Sequence, residues 1–270
     1  MEKQPTSQGT TELDKSSSGK KQKRKLPAPS FASSKAPDGL VNDPSLHQGR
    51  KRARPHVDGD WPTHIYIPIK LEAKSKHSLG KVVTQLSKED QSKVWHSLIH
   101  SDFEEFSLHL SLSRPLFLKT NERDNFINQM KKFISGIKLF EIYFSAFSNL
   151  MNDDCTRGFL ALEVGNGHSD VSKLFYSSIL NELLKEIDKV LEMYCQPKYY
   201  ENPRFHVSIA WCLINQENIH QTKHTSHHLL SSSLLQSLND IQLDEIRNIP
   251  WKVDYFNVVI GKTIHQITLG

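Results

Sequence analysis

Phe106-Ser-Leu-His-Leu-Ser-Leu-Ser113 and Phe205-His-Val-Ser-Ile-Ala-Trp-Cys-Leu213 carry one pattern twice, a histidine or small polar residue alternating with an apolar one. A period of two belongs to a β-strand with one face buried. On the first strand His109, Ser111 and Ser113 share a face, opposite Leu108, Leu110 and Leu112. On the second, His206 and Ser208 oppose Val207, Ile209 and Trp211. Two strands with matching polar stripes predict two half-sites that face each other across a groove.

The segments around these strands supply the rest of the architecture. Thr63-His-Ile-Tyr-Ile-Pro-Ile69 alternates like a strand that opens a sheet, with His64 on its polar or edge side. Residues 79–100 read as a helix with an apolar stripe of Val82, Val83, Leu86, Val94, Trp95 and Leu98. A second helix starts near Asp124, with Phe126, Ile127, Met130, Phe133, Ile134 and Ile137 at helical spacing, and a third covers 170–194. Strands are expected at 141–147 and 159–164, joined through the Asn152-Asp-Asp154 turn. A short helical stretch spans 234–246, and 251–260 with 263–269 forms a closing hairpin around Gly261 and Lys262. The order predicts an α+β fold of two pseudo-symmetric lobes. Each lobe is an antiparallel sheet with outer helices, and the His-x-Ser strands face a central groove.

Charge divides the chain. Residues 1–57 hold 12 Lys/Arg against 5 Asp/Glu, a balance of +7, whereas the remainder holds 22 against 25, a balance of −3. Residues 1–58, rich in Ser, Lys, Gly and Pro, cannot bury enough apolar surface to offset ordering, so a disordered basic arm is expected, followed by one folded domain over 59–270. Lys20-Lys-Gln-Lys-Arg-Lys25 and Arg50-Lys-Arg-Ala-Arg54 within the arm suit nuclear import factors or a loose attraction to RNA. Cys155, Cys195 and Cys212 are odd in number and lack CxxC spacing, which points to neither a disulfide framework nor a zinc site. No apolar run of the ~18 residues a membrane span needs is present, so neither membrane nor secretion is expected.

Two histidines suit phosphodiester chemistry because an imidazole titrating near 6.5 gives and takes protons at neutral pH. One accepts the proton of the attacking oxygen and the other donates to the leaving oxygen, each worth about 10²–10⁴-fold. Ser111 and Ser208 share the faces of His109 and His206 and would hydrogen-bond the non-bridging phosphate oxygens. When the nucleophile is the vicinal 2′-hydroxyl of RNA, the step needs neither metal nor cofactor and leaves a 2′,3′-cyclic phosphate. A Ser–His–Asp hydrolase lacks support, since no G-x-S-x-G elbow occurs. His220, His224, His227 and His228 have no Cys or carboxylate at ligand spacing and read as a polar loop rather than a metal site.

The paired motifs resemble the two-histidine (2H) phosphoesterase superfamily. The wider context is more similar to the U6 snRNA 3′-end-processing phosphodiesterase family. The carrying residues are Trp61-Pro-Thr-His-Ile-Tyr-Ile67, Phe106–Ser113, Gly158-Phe-Leu-Ala-Leu-Glu-Val164 and Tyr200-Glu-Asn-Pro-Arg-Phe-His-Val-Ser-Ile-Ala-Trp-Cys212. The resemblance implies a nuclear, metal-independent, monomeric 3′-to-5′ exoribonuclease acting on the single-stranded oligouridine 3′ end of U6 snRNA. Carried over, His109 and His206 are the acid–base pair and Ser111 and Ser208 hold the phosphate. Tyr200 takes the position that stacks on a nucleobase, and Asp153 lies near the base pocket. The Pro203-Arg-Phe205 turn is read as bringing backbone N–H groups and Arg204 to a phosphate. Two other readings remain open. One is a 2H phosphodiesterase acting on cyclic or 2′,5′ links, the other a catalytically inert RNA-binding assembly protein.

Overall fold

A computed structural model describes residues 57–99, 108–165, 170–214 and 229–270. The basic clusters of the arm, Phe106, Ser107 and the histidines at 220–228 lie outside the described residues. Along the chain come β1 (Asp60–Ile69), α1 (Ala73–Glu89), β2 (His96–Ser97), β3 (Leu108–Ser111), β4 (Leu116–Lys119) and α2 (Arg123–Ile134). They are followed by β5 (Phe140–Ile142), β6 (Phe144–Met151), β7 (Arg157–Val164), α3 (Asp170–Met193) and β8 (His206–Leu213). The chain closes with α4 (Ser232–Gln242), α5 (Asp244–Arg247), β9 (Trp251–Val253), β10 (Tyr255–Ile260) and β11 (Thr263–Thr268).

The fold is α+β with antiparallel strands, as the alternation predicts. Two separate sheets were expected, but the two halves share one nine-stranded sheet. Its path is β11-β10-β1-β3-β8-β7-β6, with β4 also on β1 and β2 also on β8. The seam is narrow. β3 and β8 register through Leu110 opposite Val207, both fully buried. A small second sheet pairs β5 with β9.

Alternation explains why the sheet has a core face. Ile65, Ile67 and Ile69 of β1, Leu108 and Leu110 of β3, Val207 and Ile209 of β8, and Leu160 and Leu162 of β7 all enter one apolar core. The helices cover it with stripes at i/i+3/i+4 spacing: Leu79, Val82, Val83 and Leu86 from α1, and Phe126, Ile127, Met130 and Ile134 from α2. From α3 come Leu180, Leu183, Leu184, Ile187, Val190 and Leu191. Ser231 caps α4, its hydroxyl accepting from the Leu234 N–H at 3.2 Å.

Several expected boundaries move. The first helix was expected over 79–100 but spans 73–89. Beyond it Val94 is exposed, and His96 and Ser97 instead pair with Trp211 and Ala210. β3 meets β8 only near Val207, so the rest of that β8 edge needs another partner, and this tertiary demand overrides helical periodicity. The strand expected at 141–147 divides at Tyr143 because its first part pairs with β9, and β4 is additional to the expected elements. The helical stretch at 234–246 divides at Leu243.

The closing hairpin forms around Gly261 and Lys262 as expected, but its first strand is shorter: only 255–260 pairs with 263–268, because Trp251–Val253 leaves to pair with β5 in the second sheet. Gly261 has φ +61 in the two-residue turn between the paired residues Ile260 and Thr263. A Cβ there would sit 2.7 Å from the Trp61 ring. Gly261→Ala is therefore expected to cost about 1–3 kcal/mol of stability through left-handed backbone strain plus the clash. Thermal or urea denaturation of the two proteins checks this.

Candidate active site

The seam between β3 and β8 assembles the polar residues. With Leu110 opposite Val207 in an antiparallel register, His109 stands across from Ser208 and Ser111 across from His206. Each histidine thus faces the other strand's serine. The two histidines occupy diagonal positions, a relation that places Cβ atoms roughly 7–8 Å apart in such ladders. That span suits a phosphodiester held between two rings. All four side chains lie on the face opposite the core, His206, Ser111 and Ser208 half-buried and His109 the most exposed of the four, with the His64 and Tyr66 rings packed against it.

Two of the sequence expectations about facing need correction. Ser113 does not continue the stripe. It is 3% exposed and its hydroxyl accepts from the Ile65 N–H at 3.0 Å, because the chain leaves β3 after Ser111 and turns towards β4. On β8 the register with β7 shifts between Leu160 and Ala161, leaving Ile209 as the extra residue of a bulge. Ile209 and Ala210 then both reach the core. Trp211, opposite Phe159, comes to the face that carries Ser208 rather than the one opposed to it. There its ring stacks with His96 at 4.4 Å, and the Arg157 guanidinium lies 5.0 Å from its centroid.

The neighbouring strands add groups that the His-x-Ser motif does not contain. β1 pairs Pro68 with His109 and Tyr66 with Ser111, so His64 and Tyr66 share the site face. The His64 Nε2 lies 3.1 Å from the Ser111 hydroxyl. The His64 and His109 rings meet edge to face at 5.3 Å, and Tyr66 and His109 at 5.5 Å. The alternation in Thr63–Ile69 places His64 and Tyr66 on a polar face, yet nothing local tells which strand lies beside them. Beside His206 stands Glu163 of β7, its register partner, which forms an ion pair with Arg204. A carboxylate inside the apolar run Phe159–Val164 is the signal that could have marked it.

The remaining predicted residues fall into two groups. Tyr200, 44% exposed, donates its hydroxyl to Asp153 at 3.0 Å. Arg114 pairs with the same carboxylate at 2.8 Å, and its guanidinium lies 5.0 Å from the Tyr200 ring centroid. Tyr200 and Asp153 are thus brought together, with Arg114 as an unpredicted third member. The turn bearing Asp153 is fixed by Asn152, whose side-chain oxygen accepts from the N–H groups of Thr156 and Arg157. Of the 203–205 turn, Arg204 is exposed and Pro203 half-buried, whereas Phe205 gives its ring to the core, stacked on Tyr199 at 6.2 Å. The Phe205 ring fills core volume next to the seam, and its carbonyl accepts from the Val164 N–H at 2.8 Å. Among the described residues no group of three or more His, Cys, Asp or Glu is placed to hold a metal ion.

Crowding sets the protonation of the three imidazoles. Desolvation pushes His64 down to about 4, helped by the neighbouring His109 ring. Burial also lowers His109, and His206 adds to it. His206 is lowered mainly by burial. The Arg204 guanidinium acts in the same direction, while the Arg204 carbonyl and Glu163 oppose it. The carbonyl accepts from His206 Nδ1–H at 2.6 Å, which leaves Nε2 with a lone pair when the ring is neutral.

A family model described as HVSL, uncharacterised conserved protein, matches residues 26–268. U6 snRNA phosphodiesterase 1 of Neurospora crassa is 33% identical over 194 residues, 64% of this chain and 53% of the relative. The proteins of that name from Mus musculus and Homo sapiens are 29% and 28% identical, over 70% and 65% of this chain and 65% and 60% of their own lengths. The chain thus spans between half and two thirds of these relatives. In fold it is similar to Kluyveromyces marxianus Usb1, solved also with uridine monophosphate. The TM-scores are 0.55 and 0.56 at 16% identity, covering 77% of this chain and 98% of that one.

In a titration followed by NMR, His64, His109 and His206 are all expected to show midpoints below the ordinary 6.5. His206→Ala should raise the His109 midpoint, and His109→Ala should raise that of His64. Because their folded values are depressed, the unfolded chain binds these protons first as pH falls below about 6.5. Thermal stability should therefore decline from there towards pH 4, with a shallower decline in His64→Gln.

Proposed function

The chain belongs to the HVSL family, and from that premise we propose that it is a 3′-to-5′ exoribonuclease trimming the oligouridine 3′ tail of U6 snRNA. The observation that carries the reading is the seam register, which sets His109 and His206 diagonally with a serine hydroxyl across from each. The names of the relatives point to the same substrate. The product is a 2′,3′-cyclic phosphate end.

In this reading the work divides as follows. His206 is held by the Arg204 carbonyl with Nε2 free to accept a proton, so it takes the one on the 2′-hydroxyl. Glu163 beside it stabilises the imidazolium that forms. The 2′-oxygen attacks phosphorus, the bond to the 5′-oxygen of the departing nucleotide breaks, and His109 supplies the proton to that oxygen. Burial and the His206 ring disfavour the charged form of His109 in the free protein, and the phosphodiester anion between the rings favours its protonation. Ser111 and Ser208 donate to the non-bridging oxygens as charge builds on them. Exposed Tyr200 offers its ring to a base, a contact worth about 1–3 kcal/mol and tolerant of base identity. An internal nucleophile and two proton carriers complete this step without a metal. The protein acts in the nucleus as a monomer, and the basic clusters of residues 1–58 engage import factors.

With 5′-labelled RNA ending in oligouridine, the protein should release nucleotides from the 3′ end with EDTA present and leave a cyclic phosphate terminus. His109→Ala and His206→Ala should abolish trimming while keeping the fold by circular dichroism. Ser111→Ala and Ser208→Ala should each lower kcat by up to about 10²–10³-fold, the range for losing one charge-stabilising donor. Retained trimming in either histidine variant contradicts the mechanism. Opening of a 2′,3′-cyclic or 2′,5′ bond without trimming would favour the other phosphodiesterase reading.

A further inference from the structure

Ser111 and Ser208 play matching parts in the motif, but their surroundings differ. Across β7, Ser208 stands opposite Ala161, whose side chain cannot hydrogen-bond. Across β1, Ser111 stands opposite Tyr66, and the His64 Nε2 lies 3.1 Å from its hydroxyl. A serine has one O–H to donate and two lone pairs to accept with. If Ser111 donates to His64, it turns lone pairs towards a phosphate oxygen that has no proton to offer. If His64 donates from Nε2–H, one lone pair is used and the O–H stays free for the phosphate. Only the second arrangement is compatible with Ser111 holding a phosphodiester.

We propose that His64 is a positioning residue that donates Nε2–H to Ser111 and so aims the Ser111 hydroxyl at the scissile phosphate. The inference rests on the phosphodiesterase reading of the site. His64 itself is on the neighbouring strand and reaches substrate only through Ser111. Its ring is fixed from two further sides, by edge contact with His109 at 5.3 Å and by Tyr66 at 5.3 Å. A freely turning serine samples three rotamers, whereas one held by an anchored donor keeps its O–H on the site side before substrate arrives. The first half-site is thus pre-oriented by a third imidazole, and among the described residues no such donor stands beside Ser208.

The test is a double-mutant cycle on 3′-oligouridine RNA with His64→Ala, Ser111→Ala and Ser208→Ala, singly and in pairs. H64A should lower kcat by about 10-fold or more, approaching the loss in S111A, with KM little changed, because the donor acts on charge that develops in the transition state. H64A/S111A should be no slower than S111A to within about 3-fold, since the two act as a unit. H64A/S208A should show the product of the single losses. His64→Gln, which keeps an amide N–H at similar reach, should recover most of the activity and also serves if H64A folds poorly. An impaired S111A beside a fully active H64A, or losses that multiply between positions 64 and 111, overturns the inference while the site reading stands. An S111A as active as the parent overturns both.

Discussion

The antiparallel contact between Leu110 and Val207 is the constraint on which the molecule turns. It joins two halves that are otherwise each built around their own strands, β1-β10-β11 on one side and β8-β7-β6 on the other. Both residues are fully buried, so burial of their side chains and the joining of the sheet are one event. In a strand pair a shift of one residue turns every side chain to the other face. The apolar partners of this seam therefore fix the polar ones. While Leu110 and Val207 face the core, His109, Ser111, His206 and Ser208 face outward and stay in step.

Charge at the site follows from the same crowding. Three imidazoles brought close on one face repel one another when protonated, and neighbouring strands remove water from them. Both effects lower His64 and His109, and desolvation dominates. At His206 the balance is finer, because Arg204 and Glu163 act in opposite directions. An anion is what this cluster lacks. In the proposed reaction a phosphodiester between the two outer rings would supply it and favour the proton that the leaving oxygen needs.

The half-sites are related without being equivalent. Ser111 carries an imidazole neighbour where Ser208 faces alanine, and His206 has a carbonyl and a carboxylate where His109 has aromatic rings. The proposed transesterification has two unlike ends, an oxygen that loses a proton and one that gains it. Inequality between the halves is what such a reaction requires. The departures from symmetry sit on β1 and β7, the strands flanking the seam, and not within the motif.

The sequence by itself determined the local objects: two alternating strands, the apolar stripes of the second and third helices, the hairpin turns at Asn152 and Gly261, and the four motif residues. Each of these is legible because its cause lies within a few neighbours, as side-chain period, turn chemistry or helical spacing. Tertiary structure alone decided which strands lie side by side. That choice made one sheet of two halves, took His96 and Ser97 from a helix into a strand, and brought His64 to Ser111 and Glu163 to His206. It also withdrew Ser113 and Phe205 from the site and, through one extra residue on β8, brought Trp211 onto its face. Pairing is settled by which edges are left unsatisfied and which faces must be buried, and that information is distributed over the whole chain.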